Sequence, residues 1–289
     1  MCRLFGMSSG PRRTHATFWL LDAPDSLSDQ SRRNPDGTGI GYFGADGKPE
    51  IHKAAIAAYQ DRSFAEEAKR VESSTFLAHI RFASTGALTD RNTHPFEQDG
   101  RVFAHNGVIE ELEALDAELG EDLSLVRGDT DSERFFALIT RQTRAHGGDV
   151  TAGIRDAAGW VAAHLPVYAL NLILATPHEL WALRYPDTHE LYVLNRPGGG
   201  RHGDRHLDHC GSDGHMRVRS QQLAAVPAVV VASERLDDNP DWRLMAPGEL
   251  LHVGPDLAVT SQILLDAAPR HPMSLADLRP EAAASQRPS

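Results

Sequence analysis

Cysteine is almost missing from this sequence: Cys2 and Cys210 are the only two among 289 residues. Two thiols without a spacing pattern make no disulfide framework, which points to a reducing, cytoplasmic setting. Long apolar runs are missing too. The longest, Val167–Leu170 and then Leu172–Ala175, are strand-sized, far below the roughly 20 residues that span a bilayer. Arg3, Arg12 and Arg13 flank no apolar stretch of the kind a secretory leader carries. Excess positive charge is lacking: 29 Lys and Arg stand against 40 Asp and Glu, a net −11. That balance excludes a general affinity for nucleic acid or for an anionic membrane surface. The hydrophobic share of 41% is ordinary for a globular chain.

A clean linker is lacking as well. The one Gly-rich candidate, about 197–215, has strand patterns on both sides and reads as an inserted loop. Arg3–Ser8, Ile40–Phe43, Thr75–Phe82 and Arg101–His105 are strand-like, and Asn106-Gly107 is a strong turn dipeptide. Helical spacing follows over Phe64–Val71, Ile109–Leu119 and Val150–His164. Thr130 and Glu133 form a capping-box pattern that opens another helix. Strands return at Tyr168–Ala175, Glu179–Tyr185, Leu191–Leu194, Val229–Ala232 and Leu250–Val253. Strands, then helices, then strands predict an α+β fold with antiparallel sheets. One domain is expected over 1–265. Residues 266–289, rich in Ala, Pro and Ser, read as a flexible C-terminal tail.

Gly39-Ile40-Gly41-Tyr42-Phe43-Gly44 matches a dinucleotide-binding pattern literally. The match runs through an apparent strand and ends in a turn, where the fingerprint needs a helix, so a nucleotide site is not expected. Cys2 is more informative. If Met1 is removed, the thiol and a free α-amine belong to one residue, titrating near roughly 8.5 and roughly 7.7–8.0. That is a nucleophile with its own base, suited to acyl transfer. Such a reaction needs donors for an oxyanion, and Asn106 with the Gly107 N–H could supply them, although Asn-Gly is also a common turn. A bidentate arginine such as Arg81 would suit an α-carboxylate. Asp131 would suit an α-ammonium, or it stabilises the start of its helix. His202, His206, His209, Cys210 and His215 crowd the inserted loop, but a Gly- and Asp-rich setting predicts surface loop rather than metal. His79, His94 and His105 are expected to serve as structural hydrogen-bonding residues.

Taken in order, these residues resemble the class II glutamine amidotransferases, the N-terminal nucleophile type. The Met1-Cys2 opening is similar to theirs. His79-Ile80-Arg81-Phe82-Ala83-Ser84-Thr85-Gly86 resembles their H-x-R-x-A-[ST]-x-G stretch, and Asn92-Thr93-His94-Pro95 their N-x-H-P segment. His105-Asn106-Gly107 resembles an H-N-G element, and Asp129-Thr130-Asp131-Ser132-Glu133 a [DE]-T-D-[ST]-E element. Val231–Leu236 and Pro247–Leu251 look like the second half of the short, stand-alone members. Phe82, Thr85 and Thr38 depart from residues common there, and they bear on the substrate pocket or its lid.

The resemblance implies a four-layer αββα sandwich of the N-terminal nucleophile hydrolase type. It implies Cys2 as nucleophile, Asn106 and Gly107 as oxyanion hole, and Arg81, Ser84 and Asp131 as substrate-binding residues, with no cofactor and no metal. The implied substrate is glutamine or a γ-glutamyl small molecule, hydrolysed through a γ-glutamyl thioester. The alternatives are a glutaminase subunit handing ammonia to a separate synthase, and a non-catalytic subunit on the same fold. A homodimer is left open.

Overall fold

The first strand is apolar without alternation, the pattern of a strand covered on both faces. In the computed structural model, which describes residues 2–82, 86–198, 208–210, 217–219 and 226–286, Arg3–Ser8 (β1) is buried along its whole length. It lies mid-sheet. With strands numbered in chain order, the first sheet runs β13 (Arg243–Leu244), β9 (Tyr192–Arg196), β12 (Ala228–Ala232), β1, β4 (Thr75–Arg81), β2 (Gly37–Phe43) and β3 (Pro49–Ala54). All its pairings are antiparallel. The second sheet runs β15 (Val259–Ile263), β14 (Glu249–Val253), β8 (Leu180–Leu183), β7 (Pro166–Ala175), β6 (Arg101–Ile109) and β5 (Phe96–Gln98). β16 (His271–Pro272) adds to β7 in parallel, and β10 (Asp208–Cys210) and β11 (Arg217–Arg219) pair as a separate ribbon.

Side-chain alternation sorts the core into layers. On β1, Leu4 joins Leu77, Val102, Ile173, Val229 and Leu251 between the sheets. Phe5 and Met7 point the other way, into Trp19, Phe64, Phe76 and Val230 under α1 (Leu27–Gln30) and α2 (Arg62–Arg70). The far face of the second sheet packs Phe103, Leu170, Leu172 and Leu174 against Phe135, Ile139, Ile154 and Val161. Those last four belong to α4 (Asp131–Ala145) and α5 (Val150–His164), with α3 (Leu112–Leu119) beside them. Each fully buried Leu, Ile or Phe contributes about 1.5–3 kcal/mol through removal from water. The result is the α+β, four-layer αββα arrangement. Among the described residues no helix is long and apolar enough to cross a membrane.

The segment beyond 265 departs from the expected lack of structure. Residues 271–272 pair with β7, Met273 N–H donates to Val167 O at 2.9 Å, and Leu278 together with Ala282 of α6 (Pro280–Gln286) packs on Val108, Tyr168 and Ala169. Alanine-rich composition hid a helix held by a few tertiary contacts. Of the His-rich loop, His202, His206 and His215 lie outside the described residues.

The glycine pattern at 39–44 has a packing cause. β2 passes so close to the segment 94–95 that a Cβ at Gly39 would sit 2.2 Å from His94 O, and one at Gly41 2.5 Å from Val102 Cγ1. Gly39→Ala is therefore expected to destabilise the fold by about 1–3 kcal/mol, the usual cost of overpacking, as read from the urea unfolding midpoint. An unchanged midpoint would contradict this packing.

Candidate active site

Cys2 stands at the entrance of β1, 7% exposed. Its Sγ lies 3.3 Å from both Phe82 O and Phe82 N, donating to the one and accepting from the other. Phe82 immediately follows β4, the strand paired with β1, so the sheet itself carries the thiol to the end of Arg81. Burial pushes the thiol up from its ordinary value, while the Phe82 N–H and the charges of Arg81 and Arg3 oppose that rise. A raised thiol is protonated near neutrality and needs a base before it can attack.

Arg81 is nearly buried, with Nη1 donating to Ala87 O at 3.1 Å and Nη2 to Gly86 O at 3.3 Å. Burial lowers its affinity for the proton; Cys2, Asp36 and Asp131 counter that effect. Asp131, at the first position of α4, accepts from Ile109 N–H at 3.0 Å and from the Ser132 hydroxyl at 3.3 Å. Its helix is capped by Thr130 Oγ1, which accepts from Glu133 N–H at 3.2 Å. The capping box is incomplete: Glu133 turns to Gly128 N–H at 2.6 Å instead.

Asn106 reaches across from the second sheet, its Nδ2 donating to Cys2 O at 3.2 Å. An amide nitrogen carries two N–H groups, so one can anchor Cys2 while the other points elsewhere. Gly107 has a packing reason to be glycine, since a Cβ there would sit 1.8 Å from Ala169 O. Asn92 joins two further motifs, donating to Asp129 Oδ2 at 3.3 Å and accepting from Asp129 N–H at 2.9 Å. Cys2, Arg81, Asn106 and Asp131 are thus brought into one neighbourhood. Ser84 and Thr85 lie outside the described residues. Thr38 shares the β2 face of Ile40 and Tyr42, which pack in the outer helical layer, so it does not face Cys2.

Sequence reasoning missed what holds Cys2 still. Arg3, 1% exposed, pairs with Glu234 at 2.5 Å, and Ser233 Oγ accepts from Leu4 N–H at 3.0 Å. The signal was present in the Ser233-Glu234 dipeptide, but only as part of a motif without an assigned task.

The family model described as class II glutamine amidotransferases matches residues 1–271. The chain belongs to that family. It is 32% identical over 160 residues to a probable glutamine amidotransferase of Saccharomyces cerevisiae, covering 48% of this chain and 44% of the relative. This chain therefore spans less than half of that relative's length. It is 26% identical over 252 residues to the gamma-glutamyl-hercynylcysteine sulfoxide hydrolase of Mycolicibacterium smegmatis, covering 84% of this chain and 91% of the relative. In fold it is similar to the glutamine phosphoribosylpyrophosphate amidotransferase of B. subtilis, with TM-score 0.63 and 20% identity over 92% of this chain and 50% of that one. A class-II domain protein of Silicibacter pomeroyi is matched over its whole chain and 91% of this one, with TM-score 0.58 and 19% identity.

Within this class II amidotransferase the motif histidines form a buried group behind Arg81. The His79 and His94 rings lie 4.2 Å apart, and His94 meets the Phe96 ring at 4.6 Å. Neither ring nitrogen of His94 has a hydrogen-bond partner among the described residues, so its role is stacking, against the expectation of a hydrogen-bonding residue. His105 does bond, with Nδ1 2.9 Å from Ser132 Oγ and Nε2 3.3 Å from Ala169 O. Burial first, then Arg81 and His105, pushes His79 down to about 3; burial likewise depresses His94 and His105. A cleft of about 740 Å³ lined by Lys53, Arg91, Phe96, Glu97, Arg127 and Glu133 lies to one side and includes none of Cys2, Arg81, Asn106 or Asp131.

A histidine depressed on folding stays neutral in the native chain while the unfolded chain takes up a proton. Its contribution is complete above the unfolded value of about 6.5 and is lost as pH falls towards the folded value, by about 1.4 kcal/mol per pH unit. The unfolding free energy should drop between pH 7 and pH 5, and His79→Gln should remove about 2 kcal/mol of that drop. Equal drops in the two proteins, measured by urea titration, would contradict a neutral buried His79.

Proposed function

We propose that this chain hydrolyses the side-chain amide of glutamine or of a γ-glutamyl compound, through a thioester on Cys2. The observation that carries the reading is the contact of Cys2 with both Phe82, next to Arg81, and Asn106, on the facing sheet. Once Met1 is removed, the Cys2 α-amine takes the thiol proton, and Sγ attacks the amide carbon. Asn106 Nδ2 and the Gly107 N–H receive the oxyanion. Arg81 and Ser84 hold the α-carboxylate end, and Asp131 the α-ammonium. The C–N bond then breaks, the α-amine returns its proton to the departing amine, and water hydrolyses the thioester to glutamate. The similarity to the mycolicibacterial hydrolase along most of both chains supports the γ-glutamyl form of the substrate.

A second reading is delivery of ammonia to a separate synthase chain: the chain is 28% identical over 158 residues to a glutamine–fructose-6-phosphate aminotransferase of Idiomarina loihiensis, of which it covers only 25%. A synthase that copurifies and consumes the ammonia would decide for it.

The reading is tested by intact mass before and after exposure to diazo-oxonorleucine, a glutamine-like electrophile. Loss of Met1 and one adduct on Cys2 are expected. Asn106→Ala should lower kcat for glutamine hydrolysis about 100- to 1,000-fold, the usual cost of one oxyanion donor, with the fold retained. A retained Met1, an unlabelled Cys2, or an Asn106→Ala enzyme of full activity would overturn it.

A further inference from the structure

β6 alternates as a strand must, so its consecutive residues face opposite ways. Asn106 looks across the sandwich to Cys2 O. His105 looks the other way, onto α4, where its ring meets the Phe135 ring edge-on at 5.6 Å. The proposed reaction uses Asn106 and leaves His105 without a task. The imidazole is 1% exposed. Its Nδ1 lies 2.9 Å from Ser132 Oγ and its Nε2 3.3 Å from Ala169 O. Ser132 is buried as well, and its Oγ lies 3.3 Å from Asp131 Oδ1.

The number of protons fixes the direction of this relay. Burial depresses His105 against the pull of the Asp131 charge, and a neutral ring carries a single N–H. Ser132 has one hydroxyl proton, to give either to Asp131 or to Nδ1. A hydrogen bond to an ionised carboxylate is roughly twice as strong as one between neutral groups, so the hydroxyl turns to Asp131. The Ser132 oxygen then accepts from Nδ1–H, and Nε2 faces Ala169 O as a lone pair, at the longer of the ring's two contacts. Thr130 already caps α4 through Glu133 N–H, so the Ser132 hydroxyl is not needed as a cap. Asp131 Oδ2 accepts from Ile109 N–H at 3.0 Å. Both carboxylate oxygens are therefore held by fixed donors, one from α4 and one from the end of β6.

We propose that His105 and Ser132 are positioning residues for Asp131: the imidazole holds the Ser132 hydroxyl against the carboxylate, which is thereby turned to receive the α-ammonium of the substrate. This rests on the reading that Asp131 holds that ammonium. Without the Ser132 proton the carboxylate is free to rotate about its side-chain bond, and the ammonium loses a fixed acceptor. The contacts of the substrate with Arg81 and Asn106 do not pass through this relay. Its loss therefore weakens ligands that carry a free α-amine and spares those that lack one.

The test compares full-length Ser132→Ala, His105→Leu and His105→Asn, the last of which keeps an N–H donor where Nδ1 lies. Two pairs of ligands differ only in the α-amine: L-glutamate and glutarate, whose Kd is read by calorimetry, and glutamine and glutaramate, read as kcat/KM. Loss of one hydrogen bond to a charged group should raise the glutamate Kd about tenfold in Ser132→Ala and in His105→Leu. The glutarate Kd should stay where it is, and His105→Asn should restore most of the glutamate affinity. The glutamine-to-glutaramate ratio of kcat/KM should fall by the same factor, carried by KM. A merely structural role would move both ligands of a pair together. Equal weakening of glutamate and glutarate, an unchanged glutamate Kd in Ser132→Ala, a His105→Asn protein as weak as His105→Leu, or an unsubstituted chain that binds the two acids equally would overturn the positioning role. If His105→Leu does not fold, Ser132→Ala still decides. Binding needs no turnover, so a chain that shows the glutamate-specific loss but hydrolyses no γ-glutamyl compound refutes the acyl-transfer reading alone.

Discussion

The ion pair between Arg3 and Glu234 is the contact on which the site depends. A chain end frays unless it is tied down, yet the residue next to this one must hold a thiol in place. Arg3 is buried beneath the first sheet and meets Glu234 at 2.5 Å, while the adjoining Ser233 hydroxyl takes the Leu4 N–H. Removing Glu234 would leave the buried Arg3 guanidinium without its carboxylate. The pair also sits beside Cys2, with Arg3 Nη1 donating to Cys2 O at 3.4 Å, so its loss would be felt first there. β1 is flanked by β4 on one side and β12 on the other, and these neighbours turn a terminus into the middle of a sheet.

From that anchoring the rest of the site follows by pairing. β4 runs antiparallel to β1 and brings Arg81 and Phe82 to Cys2. The second sheet lies across the apolar layer of Leu4, Leu77, Val102 and Ile173, and β6 in that sheet presents Asn106. α4 begins where β6 ends, with Asp131 bonded to Ile109. Charge inside this end is balanced: Arg81 is desolvated but faces Asp36 and Asp131. The histidines behind it remain neutral, so they add no further positive charge.

Much of this was legible in the sequence. The strands of β1, β4 and β6 declared themselves through apolar, β-branched and aromatic residues, and the five ordered motifs located Cys2, Arg81, Asn106 and Asp131. Edge strands were not legible. β3 and β15 carry Glu50, Thr260 and Gln262 on exposed positions, and edges owe their pairing to one neighbour rather than to a pattern. Nor was the partner of Arg3 legible: the Leu4–Ser233 bond joins residues 229 positions apart, and no periodicity connects them. The alanine-rich helix α6 looked like tail because its hold comes from Val108, Tyr168 and His189 rather than from its own sequence. The stacking of His79 on His94 was hidden for the same reason.

The central claim is covalent: Cys2 carries the γ-glutamyl group during turnover. Its most direct test is an acid quench of the enzyme mixed with excess glutamine, followed within the first turnovers by intact-mass and peptide analysis. The account predicts one γ-glutamyl group per chain, on Cys2, removable by hydroxylamine and missing when Cys2 is replaced by alanine. Turnover of glutamine with no such adduct, or an adduct on another residue, would contradict it.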